Sequence, residues 1–202
     1  MASWPAGAKG TELELPLFPL HRVLFPGGGL RLKVFEARYM DMVGERLRDQ
    51  RPFGVCLIKS GPEVGGGAEP EAVGTLAHIA EADMDTPGIL LLRVTGGERF
   101  VIESLHAGPD QLLMARARAK GEEPALPVPA HCRPALDVLA HIAKRAPEAV
   151  PGPIRDDATW AGFRLAELLP LKTTARQAML EMNDPVARLE ILVAFLRQQQ
   201  LI

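Results

Sequence analysis

The chain has 202 residues, a formal charge of −2 and 47% hydrophobic residues, which is the composition of a globular protein with one large domain or two small ones. No apolar run reaches the roughly 18 residues of a membrane span, and the first residues lack the basic start and apolar stretch of a signal peptide. No membrane segment is therefore expected, and the cytoplasm is the expected compartment. The near-neutral net charge argues against binding of nucleic acid through the overall charge of the protein.

The first half of the chain is predicted to be mostly β-strand. Apolar residues alternate over 13–20, but two prolines predict an edge strand or an extended arm there. Residues 30–35 alternate with period two and 53–58 form a short apolar run, so both are predicted strands. Between them, residues 36–50 carry apolar side chains at helical spacing.

Glycine and proline mark the predicted turns and loops. Residues 25–29 read as a turn, and residues 60–72 read as a loop. Gly96-Gly97 separates two β-type runs, 89–95 and 98–103, and predicts a two-residue hairpin turn. Further strands are predicted at 73–79 and 112–120, with an acidic loop at 81–88.

The second half is predicted to be helical. Four prolines within 121–134 predict a stiff connector and a domain boundary. Helix starts are predicted at Asp156 or Asp157, at a Thr174–Gln177 capping box, and at Asp184-Pro185. Strands followed by helices, rather than alternating with them, predict an α+β fold.

Residues for catalysis are scarce. The five histidines are scattered and there are two cysteines, so no metal site and no cofactor are expected. Gly27-Gly28-Gly29 lacks the lysine of a phosphate-binding loop. Ser104 with His106, or Cys132 alone, are the candidate nucleophiles, but no oxyanion-forming glycine pattern surrounds them. We therefore do not expect an enzyme.

One face of the predicted strand at 112–120 is basic. Arg116, Arg118 and Lys120 alternate with alanines, and this stripe is a candidate phosphate-binding surface for nucleic acid. A charged strand that discourages aggregation explains the same residues equally well.

An ordered series of short motifs resembles the Lon protease N-terminal domain family over about residues 12–198. In the first half the motifs are Leu15-Pro16-Leu17-Phe18-Pro19-Leu20, Phe25-Pro26-Gly27, Leu32-Lys33-Val34-Phe35-Glu36-Ala37-Arg38-Tyr39, Phe53-Gly54-Val55, Val73-Gly74-Thr75-Leu76-Ala77 and Gly97-Glu98-Arg99-Phe100. In the second half they are Leu168-Leu169-Pro170, Leu180-Glu181-Met182 and Arg188-Leu189-Glu190. The resemblance implies an α+β protein with a PUA-like β pseudobarrel and one helix over 12–121. A helical subdomain of four helices over 122–202 would follow it.

The resemblance also implies a function. The chain ends at Ile202 without a Walker motif, so it is expected to be a stand-alone module lacking the ATPase and protease parts of Lon. Its expected role is non-enzymatic recognition of unfolded or exposed polypeptide segments. RNA binding is the alternative, because PUA-like barrels recur in RNA-modifying proteins.

Two sets of residues are singled out for these roles. Peptide contacts are expected at the two loops, through Val64, Met84 and Pro87. The family-signature residues are expected to be mostly structural: Pro19, Phe25, Pro26, Glu36, Arg38 and Tyr39. Within the signature, the barrel core is expected to contain Phe18, Phe25, Phe35 and Tyr39. Glu36 is expected to benefit from the helix dipole, with Arg38 pairing with it or with a nearby carbonyl.

Overall fold

The computed structural model describes residues 9–108 and 110–202. The chain divides into two compact units, the first ending at Glu122 and the second spanning Glu123–Ile202. No helix among the described residues is both long enough and apolar enough to cross a bilayer.

The first unit is built from six strands and one helix. These are β1 (Glu12–Leu20), β2 (Gly29–Val34), α1 (Ala37–Asp49), β3 (Phe53–Ser60), β4 (Glu69–Thr86), β5 (Ile89–Ala107) and β6 (Leu113–Ala119). Hydrogen bonding follows the order β5–β4–β3–β1–β6, and β6 pairs back onto β5, so five strands form a closed ring. β2 lies outside that ring and pairs antiparallel with β5.

Helix α1 covers one side of the barrel through its apolar face. Tyr39, Met42 and Val43 are buried in a cluster with Phe18 and Phe53. The rings of Phe18 and Tyr39 stack with centroids 4.1 Å apart, an arrangement that stabilises by about 1 kcal/mol beyond area burial. The predicted helix is therefore confirmed, and its apolar stripe is the face that the spacing indicated.

The prediction that the first strand is an edge strand is wrong. β1 lies between β3 and β6 and pairs with both. Its first half, Glu12–Pro16, pairs antiparallel with β6, whereas its second half, from Leu17 to Leu20, pairs parallel with β3. Because the strand changes partner midway, each half has one side without a ladder, and a proline is tolerated where its missing N–H would face that side.

The predicted hairpin turn at Gly96-Gly97 is also wrong. β5 runs unbroken through both glycines and pairs with β4, and neither glycine has a positive φ. A Cβ at Gly96 would collide with the carbonyl oxygen of Phe25, and one at Gly97 would lie 2.5 Å from Nε2 of His78. The glycines therefore permit close approach within a bulged strand pair rather than a reversal of the chain.

The actual reversal is the hairpin that joins β4 to β5. β4 continues to Thr86, so most of the predicted acidic loop at 81–88 is strand, and the turn is made around Pro87 and Gly88. Gly88 has a φ of 80°, the left-handed conformation that glycine adopts without strain.

The second unit contains four α-helices, as the sequence predicts. They are α2 (Pro134–Arg145), α3 (Ala158–Leu168), α4 (Thr173–Glu181) and α5 (Pro185–Gln198). Asp157 caps α3 by accepting from the Thr159 N–H at 2.9 Å, and Asp184 caps α5 in the same way. The capping box at Thr174 is wrong, because α4 starts one residue earlier, at Thr173, and Lys172 precedes it without a side-chain cap. The α+β class is confirmed.

A buried arginine organises this helical unit. Arg188 in α5 is fully buried and donates through Nη1 and Nη2 to both carboxylate oxygens of Glu123, at 2.9 and 2.6 Å. It also donates to the carbonyls of Met179 and Met182, at the end of α4. Its guanidinium lies 4.0 Å from the centroid of the Phe163 ring. Each nitrogen of the guanidinium therefore donates to at least one acceptor, as a buried charge requires.

Candidate functional site

A shallow pocket lies on the first unit, where the end of β2 meets the start of α1 and the β3–β4 loop. Its lining residues are Phe18, Lys33, Val34, Phe35, Glu36, Tyr39, Glu63 and Val64. Its volume is about 40 Å³, which is enough for roughly one to three water molecules. Small-molecule sites usually measure about 300–1,000 Å³, so this pocket suits the tip of one apolar side chain rather than a whole small ligand.

Two exposed apolar side chains flank the pocket. Phe35 is 52% exposed and Val64 is 53% exposed. The expectation that Phe35 fills the barrel core is therefore wrong. β2 buries Leu30, Leu32 and Val34, and the same period of two turns residue 35 toward solvent. Exposed apolar side chains that border one pocket are candidates for contact with a partner.

The floor of the pocket consists of Phe18, Val34 and Tyr39, all buried. Burial raises the pKa of Tyr39, so its phenol stays neutral across the physiological pH range. Charged side chains line the pocket around this apolar floor, with Lys33 and two carboxylates, Glu36 and Glu63.

The loop that carries Val64 is anchored on both sides of that residue. A carboxylate oxygen of Glu63 accepts from the His21 N–H at 2.7 Å. The Gly65 N–H donates to the Glu36 carboxylate at 3.3 Å. Val64 is therefore held between two fixed neighbours, which favours a preformed contact over an ordering step on binding.

Glu36 and Arg38 form the clamp that holds this loop. Glu36 precedes α1, but its side chain does not cap the helix; it accepts from Arg38 Nη2 at 2.7 Å. Arg38 Nη1 donates to the carbonyl of Gln111, at 3.2 Å, in the loop before β6. The structure thus shows both contacts expected for Arg38, and the pair ties the start of α1 to two loops.

The remaining signature residues support the fold. Pro19 is buried within β1, Phe25 is 1% exposed, and Tyr39 belongs to the barrel core. Pro26 is half-buried and lies in the turn whose neighbouring Gly27 N–H bonds the Gly96 carbonyl.

The two other predicted peptide contacts lie elsewhere on the first unit. Met84 is exposed near the end of β4, and Pro87 is exposed in the turn that follows. Neither lines the pocket beside Val64. The structure therefore exposes all three residues but does not place them in one pocket.

The basic stripe is interrupted by carboxylates. Arg118 is 2.5 Å from the carboxylate of Glu103, and Arg116 is 3.8 Å from the same group. Glu14 lies opposite Arg116 in the β1–β6 register, and Lys120 is half-buried. Because a phosphate backbone would have to compete with these carboxylates, the stripe is a weaker nucleic-acid surface than its sequence suggests.

The candidate nucleophiles are unfavourably placed. Cys132 and Cys56 are buried, and burial raises the pKa of both thiols, which suppresses the reactive thiolate. Ser104 and His106 are exposed on β5, where His106 Nε2 lies 3.8 Å from Glu14. Over residues 9–108 and 110–202, no three potential metal ligands cluster.

The strands and helices together define an α+β protein. The sequence model of the ATP-dependent protease La (LON) substrate-binding domain matches residues 14–150, and the chain belongs to this family. The resemblance noted from the sequence motifs is thus confirmed.

Solved structures support the same assignment. A Lon N-terminal domain protein from Xanthomonas campestris is 35% identical, with a TM-score of 0.77 over 90% of this chain and 98% of that one. The N-terminal domain of a Mycobacterium avium complex Lon protease is 14% identical, with a TM-score of 0.65 over 90% and 97%, and it shows the fold alone. No curated protein sequence matches the chain.

Proposed function

We propose that this chain binds exposed or unfolded segments of other polypeptides by seating an apolar side chain between Phe35 and Val64. The observation that carries the proposal is the pairing of these two exposed apolar residues at a preformed pocket. Membership of a substrate-binding domain family supports the same class of function. The proposed role is binding alone, and the proposed compartment is the cytoplasm. The burial of both thiols supports a role without thiol chemistry.

The exposed area of Phe35 and Val64 sets their expected contribution to the affinity. Complete burial of a Phe or Val side chain is worth about 1.5–3 kcal/mol, and half of each surface remains to be covered in the free protein. Covering both residues therefore contributes about 2 kcal/mol, or roughly 30-fold in Kd. Such a contribution suits reversible capture of many sequences better than tight recognition of one.

The test is fluorescence anisotropy of a labelled, permanently unfolded protein titrated with the full chain. The double variant Phe35→Ser with Val64→Ser is compared with a control, Leu105→Ser with Ile191→Ser, which removes apolar side chains of similar exposure outside the pocket. We expect the site variant to weaken binding about 30-fold and the control to bind as the parent does. Equal binding by the two variants would refute the site.

A parallel RNA titration at two salt concentrations tests the alternative. Binding of an unfolded protein with balanced charge through apolar contacts is expected to change little with salt, whereas binding to phosphates weakens steeply as salt rises. RNA binding would replace polypeptide binding as the function under two conditions. The RNA binding would have to be salt-sensitive and lost in Arg116→Glu with Arg118→Glu, and the chain would have to show no binding to the unfolded protein.

A further inference from the structure

Over residues 30–34, the outer edge of β2 has no backbone partner among the residues that the structure describes. β2 pairs with β5 on one side, and it ends the strand order of the sheet on the other. The backbone bonds outside regular ladders include none to residues 30–34. A free strand edge presents N–H and C=O groups that can pair with an added strand.

The register identifies which groups face that edge. The Gly96 N–H donates to the Gly28 carbonyl at 2.8 Å, so this opposed pair is hydrogen-bonded. Bonded and non-bonded pairs alternate along an antiparallel ladder, and the β2–β5 register continues without a shift from Gly29 to Val34. The backbone groups of Arg31 and Lys33 therefore point away from β5, toward the free edge.

The same two residues give the edge a positive charge. The side chains of Arg31 and Lys33 are exposed, whereas those of their neighbours Leu30, Leu32 and Val34 are buried. Arg31 lies near Glu81, which partly offsets its charge. Among the described side chains, no carboxylate forms an ion pair with Lys33. The two carboxylates that line the pocket with it accept from other donors, Glu36 from Arg38 and Glu63 from the His21 N–H.

The edge also leads directly into the pocket. Lys33 and Val34 end β2 and line the pocket together with Phe35 and Val64. A segment extended along β2 would thus reach the apolar site within one or two residues, because a strand advances about 3.3 Å per residue.

Building on the proposed function, we propose that the bound polypeptide adds as an extended strand to the free edge of β2. One of its apolar side chains enters the Phe35–Val64 pocket, and its acidic side chains lie beside Arg31 and Lys33. Main-chain hydrogen bonds to Arg31 and Lys33 supply affinity that is independent of sequence. The basic side chains select acidic segments over basic ones, since like charges across a strand pair are destabilising.

Labelled eight-residue peptides test this arrangement with the full chain. One peptide alternates valine and glutamate around a single phenylalanine, and a second has lysine in place of glutamate. We expect the acidic peptide to bind at least about tenfold more tightly at low salt. Equal affinity, or preference for the basic peptide, would overturn the charge selection.

Backbone methylation tests the strand pairing. Two further acidic peptides are N-methylated on alternate residues, one on the valine set and one on the glutamate set. Only one set can face β2, so one isomer should bind about tenfold more weakly and the other close to the parent, since two lost hydrogen bonds cost about that much. Equal binding by the two isomers would overturn strand addition.

Amide hydrogen exchange of the protein gives an independent readout. The amides of Arg31 and Lys33 should exchange rapidly in the free protein and become protected when the acidic peptide binds, whereas the Leu32 amide, bonded to β5, should be protected in both states. Unchanged exchange at residues 31 and 33 would overturn the inference. If peptide binding still depends on Phe35 and Val64 in that case, the proposed function survives; if that dependence is absent, the proposed function fails as well.

Discussion

Replacing Arg188 with methionine should destabilise the helical unit more than any surface change. The substitution keeps an unbranched apolar chain over the Phe163 ring but removes the cation and its four hydrogen bonds. Glu123, whose side chain is 6% exposed, then retains a buried negative charge without its arginine. Removing one partner of a buried ion pair costs about 3–5 kcal/mol, and we expect a loss within that range.

A second variant separates the charge from the packing. Arg188→Met combined with Glu123→Leu removes both charges, so the cost of burying the Glu123 carboxylate without Arg188 disappears. The carbonyls of Met179 and Met182 still lose one donor each, and a lost hydrogen bond costs about 0.5–1.5 kcal/mol. We expect the double variant to recover about 2 kcal/mol relative to the single one.

Urea unfolding followed by tryptophan fluorescence measures both values. Trp160 lies in α3 of the same unit, and a Trp4→Phe background leaves it as the single tryptophan of the chain. A loss of unfolding free energy below about 1 kcal/mol for Arg188→Met would refute the reasoning, because breaking a buried charge pair costs more than that. A double variant less stable than the single one would show that the packing, not the charge, dominates.

Three further predictions rest on particular residues and their surroundings. Arg38→Gln should release the β3–β4 loop, lower stability by about 1–3 kcal/mol and weaken polypeptide binding, as measured by urea unfolding and anisotropy; unchanged binding would contradict the role of the clamp. Gly96→Ala should cost more than about 3 kcal/mol because its Cβ meets a carbonyl, whereas Gly44→Ala, in open space on α1, should stabilise by up to about 1 kcal/mol. Cys56 and Cys132 should react with a thiol reagent only at the rate of unfolding, and fast labelling of the native chain would contradict their burial.

The fold class was predictable because most local signals agree with the tertiary structure. The spacing in α1 and the aspartates before α3 and α5 specify those helices without reference to distant residues. The Glu36–Arg38 contact was also accessible, since both residues flank the start of one helix.

Errors arose where the reason for a residue is distant in sequence. Gly96 accommodates the carbonyl of Phe25, 71 positions earlier, and no local pattern distinguishes this from a turn. The prolines of β1 are explained by a change of strand partner between β6 and β3, which requires the closed ring to be known.

The site was only half predictable for a similar reason. Val64 follows from its position in a glycine-rich loop, but its partner Phe35 was assigned to the core because large apolar groups are mostly buried. The alternation of β2 carried the missing signal, since residue 35 falls out of phase with Leu30, Leu32 and Val34. The anchors of the loop, from Glu63 to His21 and from Gly65 to Glu36, are 42 and 29 residues apart and leave no local signature.

The most direct test of the proposed function places a photoreactive benzoylphenylalanine at Val64 in one protein and at Leu105, another exposed apolar site, in a second. Each is irradiated with a labelled, permanently unfolded protein, with and without an excess of unlabelled competitor. Capture of polypeptide at the Phe35–Val64 pocket predicts an adduct from position 64 that the competitor suppresses, and little adduct from position 105. Equal adducts from both positions, or none from position 64, would contradict it.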